Sequence, residues 1–546
     1  MRDMASPITH SEEFNMLNSE PETTQSDIKP WNVMIYMSAD NNLSEECVYA
    51  LKEIDRLRLS DKINVVAQVD TNVKGIRPKR YHFKGKLGSV SVTAPTIAQY
   101  GSQVIAANDV SASVRPNSEV DGKFSKLEDP YFPPNGSKSA KTSMPAEGSF
   151  SIHQSADEEI NFENFADPKV LEDFIKSSVE KLDRGKYLVV LSGHGSGAIG
   201  DFLRDDDPPS SLKIPALKEK LAAVRDVQLR GAKFDILGMD SCLMNMAEVC
   251  FELSGTVQYL VGAEGFELQG GWPYHSILEA LNENPGMGAK ELACTIVERY
   301  IRYYSDYVIA GISVDQSVCD LTPSKVERLV CEIGKLATIL TVGLYNPIIR
   351  EAVIMAHWRA QSYKFEQYTD LWDFCGQLLE ACERLIEAGV TLKSGEGLFE
   401  AIINACEKVK KAIFDEKEGG LVLKSCYSGP AVQFSRGLSI YFPWNEGTFA
   451  EEYKDLGFAE ATGWDNFLRE YIRLTRRDPR NDCGLPKEDE QGPIGNSFLF
   501  PPSGGSQSFK HGEPNKHGEP NKGLENSISI TKNLPSTFYD CGCNTK

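Results

Sequence analysis

Long apolar runs are missing from this sequence. Nowhere in its 546 residues is there an uncharged apolar stretch of about 18, the length a helix needs to cross a bilayer. The amino-terminal segment MRDMASPITHSEEFNMLNSEPETTQSD also lacks the apolar core of a signal peptide. These absences predict a soluble chain of cytoplasmic location with no membrane partner. Positive charge is in deficit, with 58 Lys and Arg against 78 Asp and Glu and a net charge of −20. So acidic a surface repels phosphate backbones, which argues against nucleic acid as a partner, and it favours cationic peptides. Cysteine is too sparse for a disulfide scaffold: there are 13, an odd number, many in apolar helical patterns such as those around Cys294, Cys331, Cys375, Cys382 and Cys406. They read as small buried hydrophobes in a reducing compartment. Histidine is scarcer still. The eight, at 10, 82, 153, 194, 275, 357, 511 and 517, include no pair at the helical spacing that zinc hydrolases use, so no catalytic metal is expected. Cys541 and Cys543 fall short of the four ligands of a structural zinc.

What is present is enough to fold. Hydrophobic residues make up 41% and aromatics 9%, and the chain is longer than one hydrophobic core usually spans, which predicts at least two globular units. Residues 1–28 are a polar arm too poor in apolar surface to order itself. Short apolar runs of buried-strand length fall at 31–37, 63–70, 187–192, 234–239 and 259–263, with helical patterns at 44–57, 167–182 and 213–225 between them. Strand alternating with helix predicts an α/β fold with a mostly parallel sheet. A Ser, Pro, Asn and Gly-rich insertion interrupts this pattern at about 87–156. From 285 to 415 the periodicity is mainly helical, followed by a pair of strands near 420–443 and an amphipathic helix at 464–476. The expected division is therefore 29–284 and 285–480, with a low-complexity tail at 481–546 that repeats HGEPNK.

Two residues stand where a parallel sheet presents chemistry. His194, in Ser192-Gly193-His194-Gly195-Ser196-Gly197, follows one apolar strand, and Cys242, in Met239-Asp240-Ser241-Cys242-Leu243, follows the next. The flanking glycines let backbone approach closely. Taken singly, the histidine is as well read as a loop residue held by a carbonyl, and the cysteine as a core residue. Together, the carboxyl ends of adjacent strands bring imidazole and thiol into one place, the arrangement nucleophilic cysteine chemistry needs. If Cys242 opens the following helix, the helix terminus would lower its thiol pKa. A serine nucleophile at Ser196 fails, because H-G-S-G-A is not the G-x-S-x-G register.

The segments HGSG, DSCLMNMAEV, Tyr259-Leu260-Val261-Gly262-Ala263-Glu264 and Gly270-Gly271-Trp272-Pro273-Tyr274, together with MIYMSADNNL and GLSIYFP, resemble the clostripain family of the caspase-like clan over about 31–475. The resemblance implies a caspase-like α/β/α sandwich, followed here by a largely helical carboxyl-terminal region, and a Cys–His dyad that cleaves peptide or protein substrates after Arg or Lys. In that reading Cys242 attacks, His194 transfers protons, and the N–H groups of Cys242 and Gly195 hold the oxyanion. Asp240 would line the pocket for the basic side chain, and Glu264 or Glu267 would add the second acid that the segment Glu267-Leu268-Gln269-Gly270-Gly271-Trp272 otherwise omits. Relatives often need calcium, for which the acidic residues Asp201, Asp205, Asp206 and Asp207 are the candidates here, although a hard cation wants six or more arranged oxygens. Relatives are also often cut within the chain; exposed basic segments at 115–141 and at 204–213 are the places for self-cleavage. The alternatives are an inactive scaffold of the same fold and a non-peptidase amidase using the same dyad. Nothing in the sequence sets the oligomeric state.

Overall fold

The computed structural model describes residues 30–475 apart from 73–77, 84–157, 160–163, 364–366, 393–394, 396, 416 and 418. The expected arm, insertion and tail lie outside the described residues. The fold begins with β1 (Trp31–Ala39), all nine residues of which are buried, as a strand covered on both faces requires. Helix α1 (Ser44–Asp55) crosses to β2 (Ile63–Thr71), which pairs with β1 in parallel from Trp31 opposite Ile63 to Ala39 opposite Thr71. Strands β3 (Lys79–Phe83) and β4 (Glu158–Glu159) then add antiparallel at that edge.

The chain continues with α2 (Pro168–Lys181), started by Asp167, whose carboxylate accepts from the N–H of Lys169 with Pro168 in the first turn. It leads to β5 (Lys186–Ser192), on the other side of β1 and parallel to it. A hairpin of β6 (Phe202–Asp206) and β7 (Pro209–Leu212), α3 (Ile214–Val227), β8 (Phe234–Asp240), α4 (Ala247–Leu253) and β9 (Val257–Gly262) follow. Helices α5 (Tyr274–Glu283) and α6 (Ala289–Tyr304) precede β10 (Val314–Asp320), and α7 (Pro323–Gly343), α8 (Pro347–Arg359), α9 (Leu371–Glu387) and α10 (Leu398–Ile413) form the helical carboxyl-terminal region. Short strands β11 (Ser362–Tyr363) and β12 (Tyr368–Asp370) lie within it, and β13 (Val422–Ser428), β14 (Ser439–Tyr441), α11 (Gly457–Thr462) and α12 (Trp464–Thr475) close the described chain.

The main sheet has the order β13-β10-β9-β8-β5-β1-β2-β3-β4, parallel through its five central strands and antiparallel at both edges. Because side chains alternate across a strand, Trp31, Val33, Ile35 and Met37 join α1, α5 and α6 in one core. Met34 and Tyr36 join α2, α3 and the later helices in the other. This is the caspase-like α/β/α sandwich expected from the sequence.

Two expectations change. The strand β10 and its partner β13 come from beyond residue 284 yet belong to the main sheet, and one core runs from α2 to α12. The expected boundary at 284 therefore divides a single sheet. The strands near 420–443 do form, but not as a pair: β13 pairs with β10, while β14 pairs with β12 in a separate three-stranded sheet. Asn245 explains why β14 sits where it does, its backbone carbonyl accepting from Ser439 N–H and its side-chain amide donating to the carbonyl of Gly437 at 2.6 Å.

Candidate active site

Parallel pairing of β5 and β8 carries Ser192 opposite Asp240, so the two chains leave the sheet at the same level. Gly193 N–H donates to the carbonyl of Asp240 at 3.2 Å, tying the two exits together. Two residues on, past His194, a Cβ built on Gly195 would lie 2.4 Å from the carbonyl oxygen of Cys242 and 3.1 Å from its nitrogen. The His194 and Cys242 loops are thus in backbone contact, and both residues line one cavity, together with Asp240, Glu267 and the face of α1.

Cys242 does not open a helix. Residues 241–246 form a loop before α4 starts at Ala247, pinned by Leu243 N–H to the carbonyl of Gly265 and Asn245 N–H to that of Ala263, each at 2.9 Å. Leu243 is held at φ 65°, in the left-handed region that a leucine adopts only under constraint. The expected helix-terminus effect on the thiol is accordingly absent. Burial, then the charge of Glu267 and that of Asp240, pushes the Cys242 thiol up to about 12. Its sulfur accepts from the N–H of Glu267 at 3.3 Å.

His194 Nε2 lies 2.7 Å from Oδ1 of Asn42, just after β1. An amide oxygen can only accept, so Nε2 carries the hydrogen and Nδ1 keeps a lone pair with which to take a proton. Burial, reinforced by Arg204, holds the imidazole down at about 4, with Asp206 opposing. Asn42 escaped the sequence reading; its only signal was an Asn-Asn pair at the end of a strand neighbouring the histidine strand. The adjacent Asn41 braces this corner, donating to the carbonyl of Arg204 at 2.8 Å.

Asp240 is 5% exposed and accepts from Tyr274 Oη at 2.6 Å, from Ser192 Oγ at 2.8 Å and from the backbone of Trp272. Glu267, 6% exposed, accepts at Oε1 from Trp272 Nε1 and Gln316 Nε2. The two carboxyl groups hydrogen-bond to each other, and burial followed by neighbouring acid charge raises Glu267, while burial raises Asp240. Two carboxyls in hydrogen-bond contact require a shared proton.

Glu264 is not brought to this cavity. It is fully buried, its Oε2 accepting from Gly437 N–H at 2.5 Å, and it neighbours Asp315 and Asp370. Its role is to join β9 to the carboxyl-terminal region, which corrects its expected place in substrate binding. The acidic residues after His194 do not converge on a cation either. Asp205 accepts from the N–H groups of Phe165 and Asp207, Asp206 pairs with Arg204, and Asp201 pairs with Lys213. Among the described residues no three His, Cys, Asp or Glu are placed to hold a metal ion, and no helix is long and apolar enough to cross a membrane. The basic segment at 204–213 is the β6–β7 hairpin, paired rather than loose.

Comparison with known proteins gives the family. Clostripain of Hathewaya histolytica is 23% identical over 273 residues, which cover 48% of this chain and 42% of the relative, so the match spans under half the length of that curated protein. Among solved structures, a secreted C11 cysteine protease from Bacteroides thetaiotaomicron, in complex with an irreversible peptide inhibitor, superposes with a TM-score of 0.49 at 17% identity. That superposition covers 80% of this chain and 100% of the other. An inactive zymogen C11 protease from Parabacteroides distasonis gives 0.48 at 17% identity, covering 80% and 98%. The family model for the clostripain family matches residues 35–471, most of the sequence. The chain belongs to the clostripain family of cysteine peptidases.

Proposed function

We propose that this protein is a cysteine endopeptidase that cleaves peptide and protein substrates after Arg or Lys, with Cys242 as nucleophile and His194 as the proton carrier. The observation that carries the reading is the backbone contact of Gly195 with Cys242, which sets His194 and the thiol on one cavity. As Sγ of Cys242 bonds to the scissile carbonyl carbon, its proton passes to Nδ1 of His194 and the carbonyl oxygen becomes an oxyanion facing the N–H groups of Cys242 and Gly195. When the tetrahedral adduct collapses, the C–N bond breaks, His194 returns the proton to the leaving amine, and a thioester remains. A water then loses a proton to His194 and attacks the thioester, and the thiol is restored with release of the acid.

The free site holds a neutral thiol and a neutral imidazole, since the first is pushed up to about 12 and the second down to about 4. Proton transfer therefore accompanies attack rather than preceding it. The buried carboxyls of Asp240 and Glu267, on the cavity wall beside the nucleophile, support a cationic side chain in the neighbouring pocket, because a desolvated cation needs a paired charge. Fluorogenic peptides carrying Arg, Lys or Leu before the cleaved bond test both parts. Cleavage of the first two should exceed that of Leu and vanish in Cys242→Ala. Equal cleavage after Leu and Arg would remove the specificity, and activity surviving within tenfold in Cys242→Ala would remove the mechanism.

A further inference from the structure

Leu43, Glu46, Cys47 and Ala50 line the same cavity as Cys242, at the spacing of a single face of α1. Glu46, Asp240 and Glu267 are the acidic side chains on that lining, and no Lys or Arg is among its residues. The three acids differ in what they already hold. Asp240 is engaged by Tyr274, Ser192 and Trp272; Glu267 accepts from Trp272 and Gln316 at Oε1 only, and its Oε2, which likewise receives no donor, is committed to Asp240 through the proton the two share. Oε2 of Glu46 is enclosed by protein and receives no hydrogen bond. A buried carboxylate oxygen without a donor is costly, and the group responds by holding its proton: burial, with Glu45 adding to it against the pull of Glu46's own N–H, raises it to about 7.

We infer that Glu46 makes the direct ion pair with the basic side chain of the substrate, and that the Asp240–Glu267 pair, its oxygens occupied by neutral donors and by each other, supplies the negative field behind it. The inference rests on the basic specificity proposed above. Glu46 stands on the cavity wall, and when its side chain turns the enclosed Oε2 toward a guanidinium or ammonium in the cavity, that oxygen has no donor to displace. The competing role for Glu46 is local: it is the third residue of α1, where an acid favours the helix terminus. That role would affect stability equally for every substrate.

The test uses full-length protein, Glu46→Gln, and fluorogenic peptides with Arg, Lys or norleucine before the cleaved bond. Glutamine keeps the shape and suits the helix start but loses the charge. We expect kcat/KM to fall by about 10- to 100-fold for Arg and Lys, mainly through KM, with norleucine changed by less than about threefold. An equal loss on all three with a lowered Tm would assign Glu46 to the helix terminus and overturn the inference, as would no loss on any. A wild-type protein that does not favour Arg and Lys over norleucine would overturn the basic specificity itself, before any variant is made, and this inference with it. Independently of turnover, Cys242→Ala protein should bind an Arg peptide more tightly than its citrulline counterpart in calorimetry. Adding Glu46→Gln should erase most of that difference, and a difference kept in full would overturn the assignment.

Discussion

Gly195 touches the backbone of Cys242 so closely that even a methyl group has no room between them: its Cβ would sit 2.4 Å from the Cys242 carbonyl oxygen and 3.0 Å from Cβ of Ser241. The obstructing atoms belong to backbone on a loop itself pinned to Ala263 and Gly265, so they have little freedom to yield. Gly195→Ala should therefore part the histidine and cysteine loops. Overpacking of this kind costs about 1–3 kcal/mol of stability, whereas misplacing reacting groups by about 1 Å costs on the order of 100-fold in rate. The variant should stay folded by circular dichroism while kcat drops by about two orders of magnitude. Wild-type kcat would show that the two loops need not touch for catalysis.

Asn42 is predicted to act through His194, by accepting from Nε2 at 2.7 Å and so fixing the tautomer with Nδ1 unprotonated. Asn42→Ala should lower kcat by about 10- to 100-fold with little change in KM. Asn42→Asp keeps the acceptor and adds a negative charge, which favours imidazolium and moves the His194 pKa upward from about 4. The acid limb of the kcat/KM profile should then shift to higher pH in Asn42→Asp. An unshifted limb, or an alanine variant as active as wild type, would assign Asn42 to the loop alone.

The five central strands were legible because a strand buried on both faces must be an almost unbroken apolar run, and that constraint is written locally. So were His194 and Cys242, since each stands at the end of such a run. Strand β10 was hidden for the opposite reason. Its sequence Val314-Asp315-Gln316-Ser317-Val318-Cys319-Asp320 is largely polar yet buried throughout, because Asp315 accepts from the N–H groups of Glu264 and Gly265 and Gln316 donates to Glu267. Those partners are some fifty positions away, beyond any local pattern. Asn42 and Glu46 were hidden in the same sense: their meaning comes from the cavity across from α1.

Stability should change with pH through the acids around Glu264. Burial raises Asp370 to about 7 and Asp315 to about 6, and Glu264 is raised by burial and then by both. Each therefore keeps a proton on folding that it would lose when unfolded, so its contribution is complete below about pH 4 and is lost as pH rises toward 7. His357 works in the other direction: burial holds it near 3, and stability is lost as pH falls from about 6.5. Tm should peak on the acid side of neutrality and fall as pH rises from about 5 toward 7. Glu264→Gln supplies permanently the donor that the proton provides, and should reduce that fall by roughly 2–4 °C. An equal fall in both proteins would place the titrating groups elsewhere.

The reactivity of Cys242 gives the last prediction. A thiol raised to about 12, with Glu267 the largest charge responsible after burial, carries little thiolate at neutral pH, and its alkylation by iodoacetamide should accelerate about tenfold per pH unit from 6 to 9 without levelling off. Half-buried Cys294 and Cys426 will also react, so the rate at Cys242 is read by peptide mass, with Cys242→Ala as the blank. Asp240→Asn removes the one negative charge that the proton-sharing Asp240–Glu267 pair carries beside the sulfur and should alkylate faster than wild type at each pH, by roughly tenfold for every unit the thiol pKa falls. The same variant should turn over Arg peptides more slowly, because Asp240 lies on the wall of the proposed cation pocket. Opposite signs in the two assays separate a charge that suppresses the free thiol from one that recruits the substrate. A rate that levels off below about pH 8 in wild type would instead reveal a resident thiolate, and proton transfer to His194 would then precede substrate attack.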